Sequence, residues 1–513
     1  MANIETNNKR IAKNTLLLYV RMFFIMAVTL FTSRVVLSTL GVIDFGIYNV
    51  VGGVVAMMGI LNSAMSVSTQ RYLTFELGRG DGIRLWQTFS VCFSIFMVLS
   101  IIIIVLAETV GLWFLNTQMT IPAERLSAAN WVYQFSILTC IASLFVMPFN
   151  ATIIAHERMS VYAYVGILEV LLRLVVVYLL LFVPFDRLAV YGGLLFASQV
   201  VVTLTYVLYC IGKFPETHYR FYWDKPLFKE LLSYSGWNLF GSMSGLVKGH
   251  GLNILLNVFF SPAVNAARGI AYQINAAITQ FFTNFYTAVR PQITKYYAQG
   301  NIEEMTKLVF RSSKMSFYLI MLLSMPIIIE TPYIVKLWLG QLPEYVVSFT
   351  RLIVVISAID SMAHPLMAAA HATGRIRLYQ STVGTMVMLN VPVSYLFLKK
   401  GFPPLTVFYV SIVISTICLF MRLWIVRRLM PFPVKDYVVQ VFGSSLLVCA
   451  MAFVLPLVLH ACVNVSLLSV VAVCLLSIAS CVVSIYYVGF DTAERRFVGD
   501  ILRSKLLHKQ AMK

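Results

Sequence analysis

Residues 89–106 read FSVCFSIFMVLSIIIIVL, with no charge, proline or glycine in the run. At 1.5 Å of rise per residue, such a stretch comes close to crossing a hydrocarbon layer roughly 30 Å thick. Long, predominantly apolar runs recur at 168–183, 353–372 and 466–488. Of the 513 residues, 59% are hydrophobic and 12% charged, where an ordinary soluble domain carries about 25% charged residues. A water-soluble fold could not cover that much apolar surface. The chain is therefore read as an all-α integral membrane protein.

Outward from that run, the apolar segments between polar punctuation place about fourteen transmembrane helices. They fall near 14–40, 43–68, 86–112, 127–154, 160–183, 188–211, 230–260, 264–289, 311–334, 347–371, 378–398, 404–427, 436–460 and 464–489. No connection has room for a soluble catalytic domain, so an enzyme is not expected. The first thirteen residues are polar and the first apolar run is too long for a signal-peptide h-region, so no cleaved leader is expected either. The eight cysteines fall almost entirely within apolar runs and lack CxxC or Cys/His spacing. They read as small buried hydrophobes, and no metal or other cofactor is expected.

Lys and Arg are distributed unevenly between the two sets of loops. One set, which includes both termini, holds 27 of them and the other holds 6. By the positive-inside rule both termini lie in the cytoplasm, which requires an even number of crossings. The net charge of +18 is mostly this topology signal, and no basic soluble module supports nucleic-acid binding.

The chain also repeats itself. Ser68 to Asp81 (STQRYLTFELGRGD) is matched by residues 289–301 (VRPQITKYYAQGN) at an offset of about 220. Pro148-x9-Arg158 is matched by Pro365-x9-Arg375 at an offset of 217. The pairs fall on helices 2 and 8 and on helices 4 and 10, six helices apart, so the repeats share one orientation. Three regions follow: a six-helix repeat at 1–212, a second at 213–428, and two extra helices with a basic tail at 429–513. Parallel repeats of this kind usually enclose a cavity that opens alternately to each side.

Polar side chains are costly within the bilayer and usually face a cavity or another helix. At 100° per residue Arg268, Asn275, Thr279, Thr283 and Arg290 share one stripe of helix 8. Shifted by 220, the stripe's middle falls on Val55, Gly59 and Ser63, beside Asn62, Ser66 and Thr69 on helix 2. The two faces are read as opposing walls of a lumen, with hydrogen-bonded helix packing as the alternative. Lys248 sits near the middle of helix 7, and His250 points about 200° away from it. Arg21 and Arg34 on helix 1, like Arg268, are candidates for either the lumen or snorkelling. Glu169 and Arg173 have the i,i+4 spacing of a neutralising pair. Asp360 and His364 repeat that spacing, as a proton-linked pair or a plain contact. The unpaired residues Arg21, Arg34, Lys248 and Arg268 are all basic, which favours an anionic substrate. The candidate binding set is Arg21, Arg34, Asn62, Ser66, Lys248, His250, Arg268, Asn275 and Thr279.

The segment Leu40-Gly41-Val42-Ile43-Asp44-Phe45-Gly46-Ile47-Tyr48 resembles the LG-x3-(F/Y)-G-x-Y signature of the bacterial polysaccharide-unit (O-antigen and capsule) flippases. These belong to the MOP superfamily, with the multidrug and toxin extrusion (MATE) transporters and the peptidoglycan-precursor flippase. Gly80-Asp81, Gly300-Asn301 and the small-residue run 368–377 are similar to the family's loop pattern. The counterpart at 261–271 lacks the paired glycines. The resemblance implies a MATE-like fold and the translocation of undecaprenyl-pyrophosphate-linked oligosaccharide units across the bacterial inner membrane. Its implied partners are that glycan, membrane lipids and the polysaccharide polymerase machinery. A coupling ion, H+ or Na+, stays open. Arg and Lys hold pyrophosphates and acidic sugars through charge-assisted hydrogen bonds, in accord with the sign of the candidate residues. The alternative is a cation-coupled multidrug efflux transporter of the same fold.

Overall fold

The computed structural model describes residues 2–117, 122–182, 186–260, 262–340, 342–464, 466–492 and 494–495. Among these the chain is helical almost throughout, with no strand. Fourteen helices follow in order: α1 (2–40), α2 (42–79), α3 (Gly82–Thr117), α4 (Leu126–Ala155), α5 (Met159–Phe182), α6 (Arg187–Lys213), α7 (Lys225–Phe259) and α8 (Pro262–Ala298). After these come α9 (Ile302–Leu339), α10 (Val346–Ala372), α11 (Arg377–Lys399), α12 (Thr406–Leu429), α13 (Val434–Cys462) and α14 (Leu467–Gly489). Among the described residues ten of them are long and apolar enough to cross a membrane, and α1 adds the apolar stretch Asn14–Val28. The protein is a multi-pass membrane protein. α7 and α8 are not among the ten, because residues such as Lys248, His250, Asn253, Arg268 and Asn275 interrupt their apolar sequence.

α1 and α2 meet at Gly41, whose φ of 77° and ψ of 170° suit only a residue without Cβ. The start of α1 (Asn14) and the end of α2 (Leu73) both lie at the C-terminal end of α4, so the chain reverses at Gly41. Asp81 starts α3 by accepting the Arg84 N–H at 2.9 Å, and Asp186 starts α6 by accepting those of Leu188 and Ala189.

The 217–220 offset recurs in the backbone. Gly80 (φ 77°) and Gly300 (φ 72°) end α2 and α8 in the left-handed conformation. The turn after α4 carries positive φ at Glu157 and the turn after α10 carries it at Gly374, 217 positions on. α3 opens into a π-helical turn at Ala107–Gly111, and α9 is bent at Glu330 between Pro326 and Pro332. The next helix supplies donors to the carbonyls at each break. Tyr133 Oη donates to Ala107 O at 2.9 Å, and Arg351 Nε donates to Ile328 O at 2.9 Å.

The chain divides into two compact units, Met1–Met243 with Thr287–Asn301 and Ser244–Tyr286 with Ile302–Lys513. Compact units and sequence repeats thus divide differently: residues 213–243 go with the first unit, and α7 and α8 are each shared. In the first unit α1 and α2 pack on α4 and α5 around Leu73, Phe89, Phe149, Val132 and Tyr133. In the second unit α9, α10 and α12 enclose Val335, Phe349, Ile353 and Phe408 together with Leu252, Leu256 and Ala267. α13 and α14 pack on each other and on α9. They are fixed there by His460 to Glu330 at 2.7 Å, by Lys314 to Glu494 at 3.0 Å and by Tyr437 Oη to Met362 O at 3.0 Å.

Candidate functional site

In the first unit the candidate cation is Arg21, near the middle of α1. Its guanidinium carbon lies over the ring of Tyr162 of α5, 4.2 Å from the centroid. It also occupies the space that a Cβ at Gly166, one turn along α5, would need. Among the described residues Arg21 makes no hydrogen bond and no ion pair, and its Nε is buried without an acceptor. An aromatic face and a glycine gap hold the charge in place. Ser66 is half-buried on α2. The side chains of Arg34 and Asn62 lie outside the described residues.

The second unit holds Lys248, half-buried on α7 and within electrostatic reach of Cys418 on α12. Among the described residues it has no hydrogen bond and no ion pair. His250 is exposed two residues on. Arg268 is placed differently. Only 7% exposed, it donates to Asn253 Oδ1 and to Gly249 O at 3.0 Å each and lies over Tyr272. It therefore fastens α8 to α7. Asn275 Oδ1 accepts the Ser357 hydroxyl at 2.8 Å, and Thr279 bonds back to Asn275 O at 2.9 Å.

Glu169 and Arg173 form their pair at 2.7 Å. Of the two readings left open for Asp360 and His364, the contact present is the plain one, through the backbone. His364 Nδ1 lies 2.8 Å from the backbone oxygen of Asp360, and the ring stands edge-on to Phe282 and Tyr286. Sequence reasoning missed Arg422 on α12. Its Nε donates to Tyr379 Oη at 2.9 Å, its Nη1 is buried without an acceptor, and Asp360 is within electrostatic reach. The sequence places Arg422 inside a span, but its partner Tyr379 is on another helix and no local spacing marks the pair. Lys248, Arg268 and Arg422 against Asp360 leave this region with surplus positive charge.

The LG-x3-FG-x-Y segment has structural work. Gly41 supplies the break, Asp44 is held by Arg125, and Tyr48 stands edge-on to Tyr191 at 4.9 Å. Arg125 also binds Asp186 at 2.7 Å. The hydrogen bond to Asp44, with both carboxylate charges, raises the Arg125 pKa further even against partial burial. Among the described residues no three His, Cys, Asp or Glu side chains converge to hold a metal ion.

Neither a protein-family model nor a curated protein sequence matches the chain. Solved structures do. An outward-facing multidrug resistance MATE family transporter of the MOP superfamily is 15% identical, with 82% of this chain and 96% of that one covered at a TM-score of 0.70. A MATE structure in the bent conformation is 14% identical over 82% and 95% of the two chains, with a TM-score of 0.72. The MATE transporter ClbM in complex with Rb+ is 17% identical over 83% and 97%, with a TM-score of 0.67. At these identities the likeness is one of architecture, and this chain folds as the MATE transporters do.

Proposed function

We propose that the chain is a transporter that carries oligosaccharide units linked through pyrophosphate to undecaprenol across the bacterial inner membrane, both termini being cytoplasmic. One observation carries the reading: Arg21, at bilayer depth, has no anionic partner among the described residues. An unneutralised charge in a membrane helix is expensive unless it meets water or a ligand of opposite sign. Lys248 repeats the condition in the second unit. Among the described carboxylates of the spans, Glu169 is engaged by Arg173 and Glu330 by His460, and Asp360 has Arg422 within electrostatic reach. Alternating access would present the basic side chains to one leaflet and then the other. The sugar pyrophosphate would bind to them while the lipid tail stays in the bilayer. Membrane lipids and a polysaccharide polymerase are the partners this activity requires.

The second reading, efflux of drugs coupled to a cation, is favoured by the multidrug resistance transporter among the structural neighbours. The two separate in one strain set. Cells carrying Arg21→Gln or Lys248→Gln should lose surface polysaccharide while keeping normal amounts of the protein in the membrane. Intact polysaccharide with raised drug susceptibility would establish efflux instead.

A further inference from the structure

On α5, Tyr162, Gly166, Glu169 and Arg173 follow at steps of four, three and four residues, which makes one stripe of a helix. The exposed apolar residues Tyr164, Leu171, Val175 and Tyr178 lie about half a turn away and form the lipid face. The polar stripe runs instead among the buried Val165, Val170, Val176 and Leu180. Even so, the side chains of Glu169 and Arg173 are 34% and 53% exposed. Charges that are accessible on the face turned away from lipid line a water-filled cleft. Arg21 stands at one end of the stripe, over Tyr162 and against Gly166. Tyr206 of α6 lies within electrostatic reach of both Arg21 and Glu169, and Tyr48 and Tyr191 lie within reach of Arg173. The rise from Tyr162 to Arg173 is about 16 Å, roughly half of the hydrocarbon thickness. Among the described residues Glu169 and Arg173 have no hydrogen-bond or ion-pair partner except each other.

We propose that the cleft binds an anionic group at two cations, Arg21 and Arg173, and that Glu169 is a resident counter-ion standing where that anion meets Arg173. The identity of the anion as a pyrophosphate rests on the transport reading above, which the second cation and the counter-ion extend. An accessible i,i+4 pair is weak, so a phosphate oxygen can take the place of the Glu169 carboxylate on Arg173. One charge-assisted hydrogen bond is exchanged for another. Glu169 repels the bound anion and pairs with Arg173 again as the anion leaves. The carboxylate therefore sets how tightly the cleft holds a ligand that a carrier must release.

Calorimetric titration of the full-length protein with inorganic pyrophosphate tests this, in discs of neutral phosphatidylcholine at constant ionic strength. The wild type should bind. Arg21→Gln and Arg173→Gln should each bind about fivefold more weakly or worse, the weight of one unit-charge contact even in bulk water. Glu169→Gln should bind tighter by a similar factor, and the double variant Glu169→Gln with Arg173→Gln should lose that gain. Arg173→Lys, which keeps the charge, should stay near the wild type. A pair kept only for folding would shift both single variants in the same direction. Weaker binding in Glu169→Gln as well as in Arg173→Gln would therefore overturn the inference, as would an effect of Arg21→Gln alone, and either result leaves the transport reading in place. No binding of pyrophosphate by the wild type would overturn both. The expected pattern together with intact polysaccharide in Arg21→Gln cells would establish the anion site and remove the glycan as its cargo.

Discussion

Arg21 and Tyr162 form a cation–π pair across α1 and α5, and Gly166 keeps that pair possible because any Cβ there would overlap the guanidinium. The contact is worth about 1 kcal/mol or somewhat more when desolvated, enough to hold the charge in one orientation. Gly166→Ala should therefore dislodge Arg21 without removing it. The expected phenotype is that of Arg21→Gln: loss of surface polysaccharide with the protein still present in the membrane. Tyr162→Phe, which keeps a ring face, should stay near wild type, and Tyr162→Leu should not. Normal polysaccharide in Gly166→Ala cells would mean that the position of Arg21 is not critical.

Arg268 should behave in the opposite way. It is buried and makes two hydrogen bonds to α7, so Arg268→Gln removes contacts and leaves Asn253 and Gly249 O without a donor. A loss of about 2 kcal/mol is expected, read as a lower thermal unfolding midpoint, with Arg268→Lys recovering part of it. Arg21→Gln gives up the contact with Tyr162 together with the cost of an unneutralised charge. Lys248→Gln removes a charge without an ion pair among the described residues, so both should move the midpoint less than Arg268→Gln. A midpoint unaffected by Arg268→Gln would move Arg268 back among the ligand-binding candidates.

These contrasts show where sequence could be read and where it could not. Hydropathy placed most of the helices because a spanning helix announces itself by length and composition, although polar residues keep α7 and α8 below that standard. Gly80 and Gly300 were visible as ends of matched segments, and both stand in the same left-handed conformation. Pairings across helices were not visible. Arg268 was placed on a polar stripe, yet its partners lie on the preceding helix, beyond the reach of a 100° wheel. Asp360 and His364 had the spacing of a side-chain pair, but the imidazole meets the backbone oxygen between two aromatic rings. Arg422 and Tyr379 are 43 positions apart. Arg125 was counted as a loop charge, although it ties Asp44 to Asp186.

The connection between α6 and α7 sets an acid limit. Burial pushes the Glu216 pKa up, but hydrogen bonds from His156 and from its own backbone outweigh burial and leave it below the usual 4.5. A carboxyl with a depressed folded value adds stability above its unfolded value and loses it as pH falls through the folded one. The wild type should therefore lose stability more steeply below about pH 4.5 than Glu216→Gln, with the two unfolding midpoints converging in acid. Parallel midpoint curves across that range would show that the pair contributes nothing.

Three glycines with positive φ allow a ranked prediction about the backbone. Gly80 and Gly300 sit in the left-handed helical region, which a residue with Cβ can adopt at a penalty of about 1 kcal/mol. Nothing lies within 4 Å of a Cβ at either site, so the penalty is conformational alone. Gly80→Ala and Gly300→Ala should lower the unfolding midpoint by similar, small amounts. The double variant should depart from their sum if the two helix ends, which touch where Gly78 meets Ala298, are coupled. Gly41 also has open space around a Cβ, but its ψ of 170° puts it in a region that is essentially glycine's own. Gly41→Ala should be clearly worse, by about 2–3 kcal/mol, unless the junction of α1 and α2 shifts. A Gly41→Ala midpoint no lower than those of the other two would mean that the junction relaxes freely, and that the reversal between α1 and α2 is not specified by Gly41.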